Sequence, residues 1–348
     1  MGKNIEEKSV TSLSGFIEEI INLEKDEGSK KAFLIENDKE LYSPLVTSDG
    51  MKYYTSDGKE FTVNDAGKVE EKTYIQDQNG KTVYETKNIP NINDGVFLFR
   101  GESRDYGRTA LMPSVYRKKG SEDYYYHETL RRCYKEINET NVLQKLVYMQ
   151  HYGSPTRLVD VTYSPLVALY FACEGARDNS SKGFIYVFYT RRVSILYEDS
   201  SRTHVLSVLP MMSDEFKLKL LRAANGGRRR KFKNKSGNYG SKAIDHLAKC
   251  VSETYHGFSG EIIAEDILYP AFISPGYSNA RITAQNGAFI IPGVAKDGDD
   301  VVEKINKYTY KKIVISNQQQ ILQDLRVMGI DKASLFPDIS KVAEYLDE

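Results

Sequence analysis

After the cap-forming Ser and Thr residues of SVTSLSGF, apolar residues recur at helical spacing at Phe16, Ile17, Ile20, Ile21 and Leu23. This spacing predicts an amphipathic helix over residues 9–24. From about 30 to 92 the pattern changes to short segments rich in Tyr, Val and Thr. They are punctuated by Ser48-Asp49-Gly50, Ser56-Asp57-Gly58, Asn64-Asp65-Ala66-Gly67 and Asn79-Gly80. Turn residues at this density predict a meander of small hairpins. Val96 to Phe99 is a short apolar run bounded by Asn93-Asp94-Gly95 and Gly101, a buried strand expected to deliver Arg100 to its end.

Between 124 and 150, Leu130, Tyr134, Ile137, Val142, Leu143, Leu146, Val147 and Met149 are spaced for one or two helices, with Pro155 as the expected stop. Pro165 opens another helical stretch, LVALYFACEGA, and Gly183 opens GFIYVFY, a near-continuous apolar strand. Residues 213 to 256 read as helices joined by a basic loop. Strands are expected again at Ile262 to Tyr269, Ala288 to Pro292 and Tyr310 to Ile315, followed by a helix in QQILQDLRVMG and a docked tail, ASLFPDISKVAEYL. Strands and helices do not alternate regularly, which disfavours a doubly wound parallel sheet. The expectation is an α+β fold, a mixed, mainly antiparallel sheet core with flanking helices plus a small β-hairpin insertion. The divisions are an N-terminal helix at 1–29, the β-rich insertion at 30–92 and the core at 93–348.

A chain of 348 residues, 40% of them hydrophobic, can bury a substantial core. Lys plus Arg equals Asp plus Glu at 48 each, so overall charge favours neither nucleic acid nor membrane as partner. The local exception is the basic stretch Arg228, Arg229, Arg230, Lys231, Lys233 and Lys235, with Phe232 among them. It reads as a solvated loop or a nucleic-acid contact. Cys133, Cys173 and Cys250 are odd in number and widely spaced, which suits reduced thiols and offers no zinc spacing. The opening residues lack an apolar signal core, Glu6 stands where a myristoylation signal needs Ser or Thr, and no run approaches the ~18 apolar residues of a membrane span. A cytoplasmic protein with no membrane partner is expected. No Walker loop, no G-x-G-x-x-G between strand and helix and no H-E-x-x-H is present, which argues against nucleotide hydrolases and zinc proteases.

Four segments form a pattern: FLFRGES at 97–103 with Pro113-Ser114 and Arg117; QHYGSPTRLVDVT at 150–162 with SPLVALYFA at 164–172; RITAQNGAF at 281–289; and LFPD at 335–338. Together they resemble the FRG family, named for a Phe-Arg-Gly motif that stands here as Phe99, Arg100 and Gly101. That family occurs in bacterial and phage genomes, in some cases in settings suggestive of defence or toxin systems. The order of the motifs is similar to the layout of arginine-type ADP-ribosyltransferases: a strand bearing Arg, then Thr162-Tyr163-Ser164 before a small-residue helix, then a polar residue, Gln285, on a late strand.

This likeness implies NAD, or a related nucleotide, as substrate, with a protein or nucleic-acid acceptor and no metal. It implies catalytic roles for Arg100, Ser164, Gln285 and His151, and cofactor contacts from Arg100, Gly101, Tyr152, Arg157 and Thr162. Breaking the nicotinamide glycosidic bond builds positive charge on the ribose. Such a site needs a guanidinium for the diphosphate, hydroxyls to brace the ribose and a carboxylate near the developing cation. Gln285 brings no charge, so Glu102, Asp160 or Glu265 would have to supply it.

Several of these residues also have plain structural readings. Arg100 can pair with a structural carboxylate, His151 can satisfy the last carbonyls of a helix, and Arg157 and Asp160 can form a local ion pair that fixes a turn. Gly287 can mark a bulge or a close approach at a strand start. Two other functions remain open: a non-catalytic nucleotide or nucleic-acid recognition module using Arg100 and the 228–235 stretch, and a hydrolase using His151 with Asp160.

Overall fold

The computed structural model describes residues 7–26, 29–30, 45–47, 50–54, 60–63, 69–76, 82–88, 95–137, 141–176, 181–226, 241–256, 258, 262, 264–277 and 279–338. A seven-stranded sheet is assembled from β1 (Glu7–Val10), β7 (Gly95–Glu102), β8 (Val159–Thr162), β9 (Gly183–Arg191), β10 (Ala271–Ile273), β11 (Gly287–Ile291) and β12 (Thr309–Ile315). Its spatial order is β1-β12-β9-β7-β8-β11-β10. Every pairing is antiparallel except β1 with β12. The remaining strands, β2 (Leu45–Thr47), β3 (Gly50–Tyr54), β4 (Glu60–Val63), β5 (Val69–Gln76) and β6 (Thr82–Asn88), form a five-stranded antiparallel meander in chain order. The fold is thus α+β with a mostly antiparallel central sheet, as the pattern predicts.

Among the described residues the α-helices are α1 (Leu13–Lys25), α2 (Glu122–Arg132), α3 (Val142–His151), α4 (Pro165–Cys173), α5 (Ser201–Ser207), α6 (Asp214–Gly226), α7 (Lys242–Thr254), α8 (Ala264–Leu268), α9 (Ala280–Ala284), α10 (Gly298–Asn306), α11 (Gln318–Val327) and α12 (Lys332–Leu335). Both faces of the sheet are covered, which explains the unbroken apolar run of β9. Ile185, Val187 and Tyr189 pack with Phe16 of α1, Ala168 of α4 and Leu325 of α11. Phe184, Tyr186 and Phe188 point the other way, toward Leu111, Val301 and Ile305. A further core joins α2, α3 and α5 to α8 against Phe289 and Ile291 of β11.

Four expectations need correction. Residues 7–10 are a strand, and α1 starts at Leu13 behind Ser12, whose Oγ accepts the Gly15 N–H at 3.1 Å. The stretch 262–269 holds helix α8 instead of a strand, because Ala264 and Ile267 bury one turn apart in the helical core and Pro270 ends the turn. Helix α3 stops before Pro155. Gly153, at φ 79°, lets its own N–H reach Gln150 O at 3.0 Å and the Ser154 N–H reach Met149 O at 2.9 Å, a Schellman closure. Finally, Arg100 lies inside β7, whose pairing with β9 runs on to Glu102.

Among the described residues no helix is long and apolar enough to cross a membrane, and no group of three or more His, Cys, Asp or Glu could hold a metal ion. The basic stretch 228–235 and the side chain of Glu265 lie outside the described residues.

Candidate functional site

Strand β7 is paired along its length with β9, from Gly95 opposite Arg191 to Glu102 opposite Phe184, but meets β8 only where Phe99 faces Thr162. Beyond that point the two strands part. A strand that loses its neighbour leaves carbonyls without donors, and one side chain fills the gap. Nη1 of Arg100 donates to Asp160 O at 2.8 Å, while its Nε donates to Glu102 Oε1 at 3.1 Å. Burial disfavours the guanidinium charge, yet the Glu102 and Asp160 carboxylates more than offset this and raise its hold on its proton. Glu102 Oε1 also accepts the N–H of Leu111 at 3.2 Å. That residue sits at φ 61°, a left-handed backbone uncommon for a bulky side chain. The other oxygen, Oε2, is buried with no hydrogen-bond partner among the described residues.

Thr162 is the meeting point of three sequence segments. It faces Phe99 on one side and Gly287 on the other. Its hydroxyl donates to Gln285 O at 2.7 Å and accepts the Ser164 N–H at 2.9 Å. The adjoining Asn286, at φ 45°, turns its carbonyl to the Tyr163 N–H at 3.0 Å. Arg100 on β7 and the Thr162-Tyr163-Ser164 segment at the end of β8 are thereby brought near Gln285, which lies not on a strand, as expected, but at the C-cap of α9, two residues before β11. Ser164 itself is the N-cap of α4, its Oγ accepting the Val167 N–H at 3.4 Å.

A polar groove follows this seam. One cavity of about 190 Å³ is lined by Arg100, Ser114, Arg117, Gln150 and Asp160 among others. A second, of about 70 Å³, is lined by Gln150, Asp160, His151, Arg281 and Gln285 among others. Gln150 and Asp160 belong to both, and Gln150 Nε2 donates to Asp160 Oδ1 at 3.0 Å. Neither Gln150 nor Arg281 stood out in the sequence as a site residue, although each lies inside one of the four segments.

The far end of the groove is covered by residues 335–338. Gln285 Nε2 donates to Leu335 O at 3.0 Å, Arg281 lies 4.7 Å from the centre of the Phe336 ring, and His151 Nε2 is 3.1 Å from Asp338 Oδ2. His151 and Asp160 thus share a cavity, but the carboxylate within reach of the His151 ring nitrogen is that of Asp338. Tyr152 is exposed, its ring stacked 4.7 Å from that of His151.

Four residues expected at the ligand have other work: Thr162 and Ser164 line neither cavity and hold the turn between β8 and α4, and Arg157 and Gly101 serve packing. Arg157 is fully buried and pairs with Glu122 and Pro292 O, so the local pair with Asp160 is not formed and no surface is left for a cofactor. Gly101 faces away from the groove in packing terms: a Cβ there would lie 1.9 Å from Ala168 O and 2.7 Å from Ala172 N, so its lack of a side chain lets α4 rest on β7.

No curated protein matches the chain, and no solved structure does. A family model does match, over residues 95–181, the span that begins with β7, includes Arg100, Asp160, Thr162 and Ser164, and runs past α4. The chain therefore carries an FRG domain at residues 95–181.

Proposed function

We propose that the FRG domain, together with Gln285 in the turn before β11, binds NAD along the seam between β7 and β8 and cleaves its nicotinamide bond, as an ADP-ribosyltransferase or an NAD glycohydrolase. The observation that carries this reading is the register Phe99–Thr162–Gly287, which sets Arg100 in one cavity and Gln285 in a second, with Gln150 and Asp160 common to both. Arg100 and the exposed Arg117 line one cavity, and two guanidiniums suit a diphosphate. Thr162 and Ser164 hold the turn beside them.

In the reaction the glycosidic C–N bond breaks and nicotinamide leaves with the bonding pair. Positive charge grows on the ribose, and water or an acceptor nucleophile then attacks. Asp160 is the carboxylate suited to that cation: it lines both cavities, whereas Glu102 is buried against Arg100 and Leu111. The Gln285 amide can hydrogen-bond a ribose hydroxyl. A ligand reaching Gln285 and His151 would exchange with the contacts made by Leu335 and Asp338. A bacterial defence or toxin role follows from the family setting, with a protein or nucleic acid as acceptor.

Gln285 in place of an acid favours a second reading, a nucleotide-recognition module that uses the same groove without turnover. Incubation of purified protein with NAD separates the two. Nicotinamide release that is abolished in a folded Arg100→Ala variant, and slowed about 10² to 10³-fold in Asp160→Asn, supports catalysis. Thermal stabilisation by NAD without release supports recognition, and neither effect sinks both.

A further inference from the structure

The arginine end of the groove does not stop at Arg117. Gly153 and Ser154 line the cavity that holds Arg100, and they also line a second hollow, of about 780 Å³, between α2 and α3. Its volume falls within the roughly 300–1,000 Å³ typical of sites for small organic ligands. Four tyrosines line it, Tyr124 and Tyr125 from α2 and Tyr148 and Tyr152 from α3 and its C-cap, with the charged Glu128, Arg132 and Glu136 among the rest. Tyr124 is 57% exposed and Tyr152 67%, so each offers ring surface to solvent. The wall that the two hollows share is held firmly. Thr129 and Ser154 share a hydroxyl hydrogen bond of 2.9 Å, and the Schellman closure at Gly153 fixes the turn.

We propose that this tyrosine hollow is the base subsite of a nucleotide whose phosphates lie at Arg100 and Arg117. Planar rings with polar edges stack on tyrosine faces, and each stacked base contributes about tenfold or more to affinity. Guanidiniums next door suit the phosphate. A nucleotide is the ligand that carries both chemistries on one ribose. The proposal rests on the reading above for the phosphate end alone; it does not require that NAD be cleaved.

The test uses the whole chain and a fluorescent adenine nucleotide, 1,N6-etheno-ADP, followed by anisotropy, with inorganic pyrophosphate as the competing phosphate probe. Tyr152→Ala should weaken etheno-ADP about tenfold and leave pyrophosphate competition unchanged, and Tyr152→Phe, which keeps the ring, should restore binding to within about twofold. Arg117→Ala should weaken both probes. Circular dichroism confirms the fold of each variant, and Tyr124→Ala repeats the test on the opposite wall. Absence of etheno-ADP binding, no effect of Tyr152→Ala, or an equal loss for pyrophosphate would overturn the subsite. If the expected pattern holds while NAD is left intact, the catalytic reading alone falls. If NAD is cleaved but Tyr152→Ala changes neither its KM nor etheno-ADP binding, the base subsite alone falls.

Discussion

Arg157 grips Glu122 with both edges of its guanidinium, Nε 2.7 Å from Oε1 and Nη2 2.5 Å from Oε2, and Lys217 Nζ reaches Oε2 at 2.8 Å. All three side chains are buried, so Arg157 depends on this carboxylate, whereas Lys217 Nζ also reaches Asp214 Oδ1 at 3.0 Å. Removing the negative partner leaves buried positive charge uncompensated, at a cost of about 3–5 kcal/mol. Glu122→Gln should therefore lower the urea midpoint by that equivalent. A variant as stable as the parent would mean that the cluster has other compensation.

The same carboxylate gives a pH dependence. Burial alone would raise its pKa, but Arg157 and Lys217 hold it down at about 2, below the ordinary 4.5. The unfolded chain therefore binds the proton first as pH falls. Stability from this group is complete above about 4.5 and is lost as pH drops toward 2, roughly 3 kcal/mol in all. Urea unfolding at pH 7, 4 and 3 should show this decline, and the decline should shrink in Glu122→Gln.

Two glycines should respond differently to one methyl group. In Gly101→Ala the new Cβ would collide with backbone of α4, 1.9 Å from Ala168 O, and an overpacked contact of this kind costs about 3 kcal/mol or more. In Gly153→Ala nothing lies within 4 Å, and only the left-handed φ of 79° is strained, at about 1–2 kcal/mol. Thermal melts of both variants check the order; a milder effect at Gly101 would show that α4 can shift at little cost.

Cys173 should be inert in the native protein. It is buried with 0% exposure, and burial pushes its thiol up to about 12, leaving almost no thiolate at neutral pH. Iodoacetamide at pH 8 followed by mass spectrometry should modify the partly exposed Cys133 well before Cys173, and the two should react alike in urea. Equal native rates would show that the sheet opens above α4.

Local signals made part of this structure legible. Ser164 and Pro165 announce α4, and GFIYVFY announces a strand covered on both faces, because cap chemistry and apolar runs are written in neighbouring residues. Partnerships across long separations were not readable. Glu122 lies 35 residues before Arg157, and Asp338 lies 187 after His151, so the nearer Asp160 looked the natural partner. The short β1, with only Val10 of its four residues buried, has no apolar pattern to give it away. Helix α8 is imposed by the core it enters. The motifs singled out Arg100 and Gln285, while the cavities these two line became visible only once β7 and β8 were seen to part.

The pairing of β1 with β12 joins Glu7 to Lys312 across almost the whole chain. Synthesis at about 5–20 residues per second separates the appearance of those two strands by roughly tens of seconds. During that interval β9 has emerged, apolar on both faces, with the edge that β12 will later occupy unpaired. The nascent chain must be kept from self-association until β12 arrives, and a product cut short before residue 309 is expected to aggregate with its FRG segment already made.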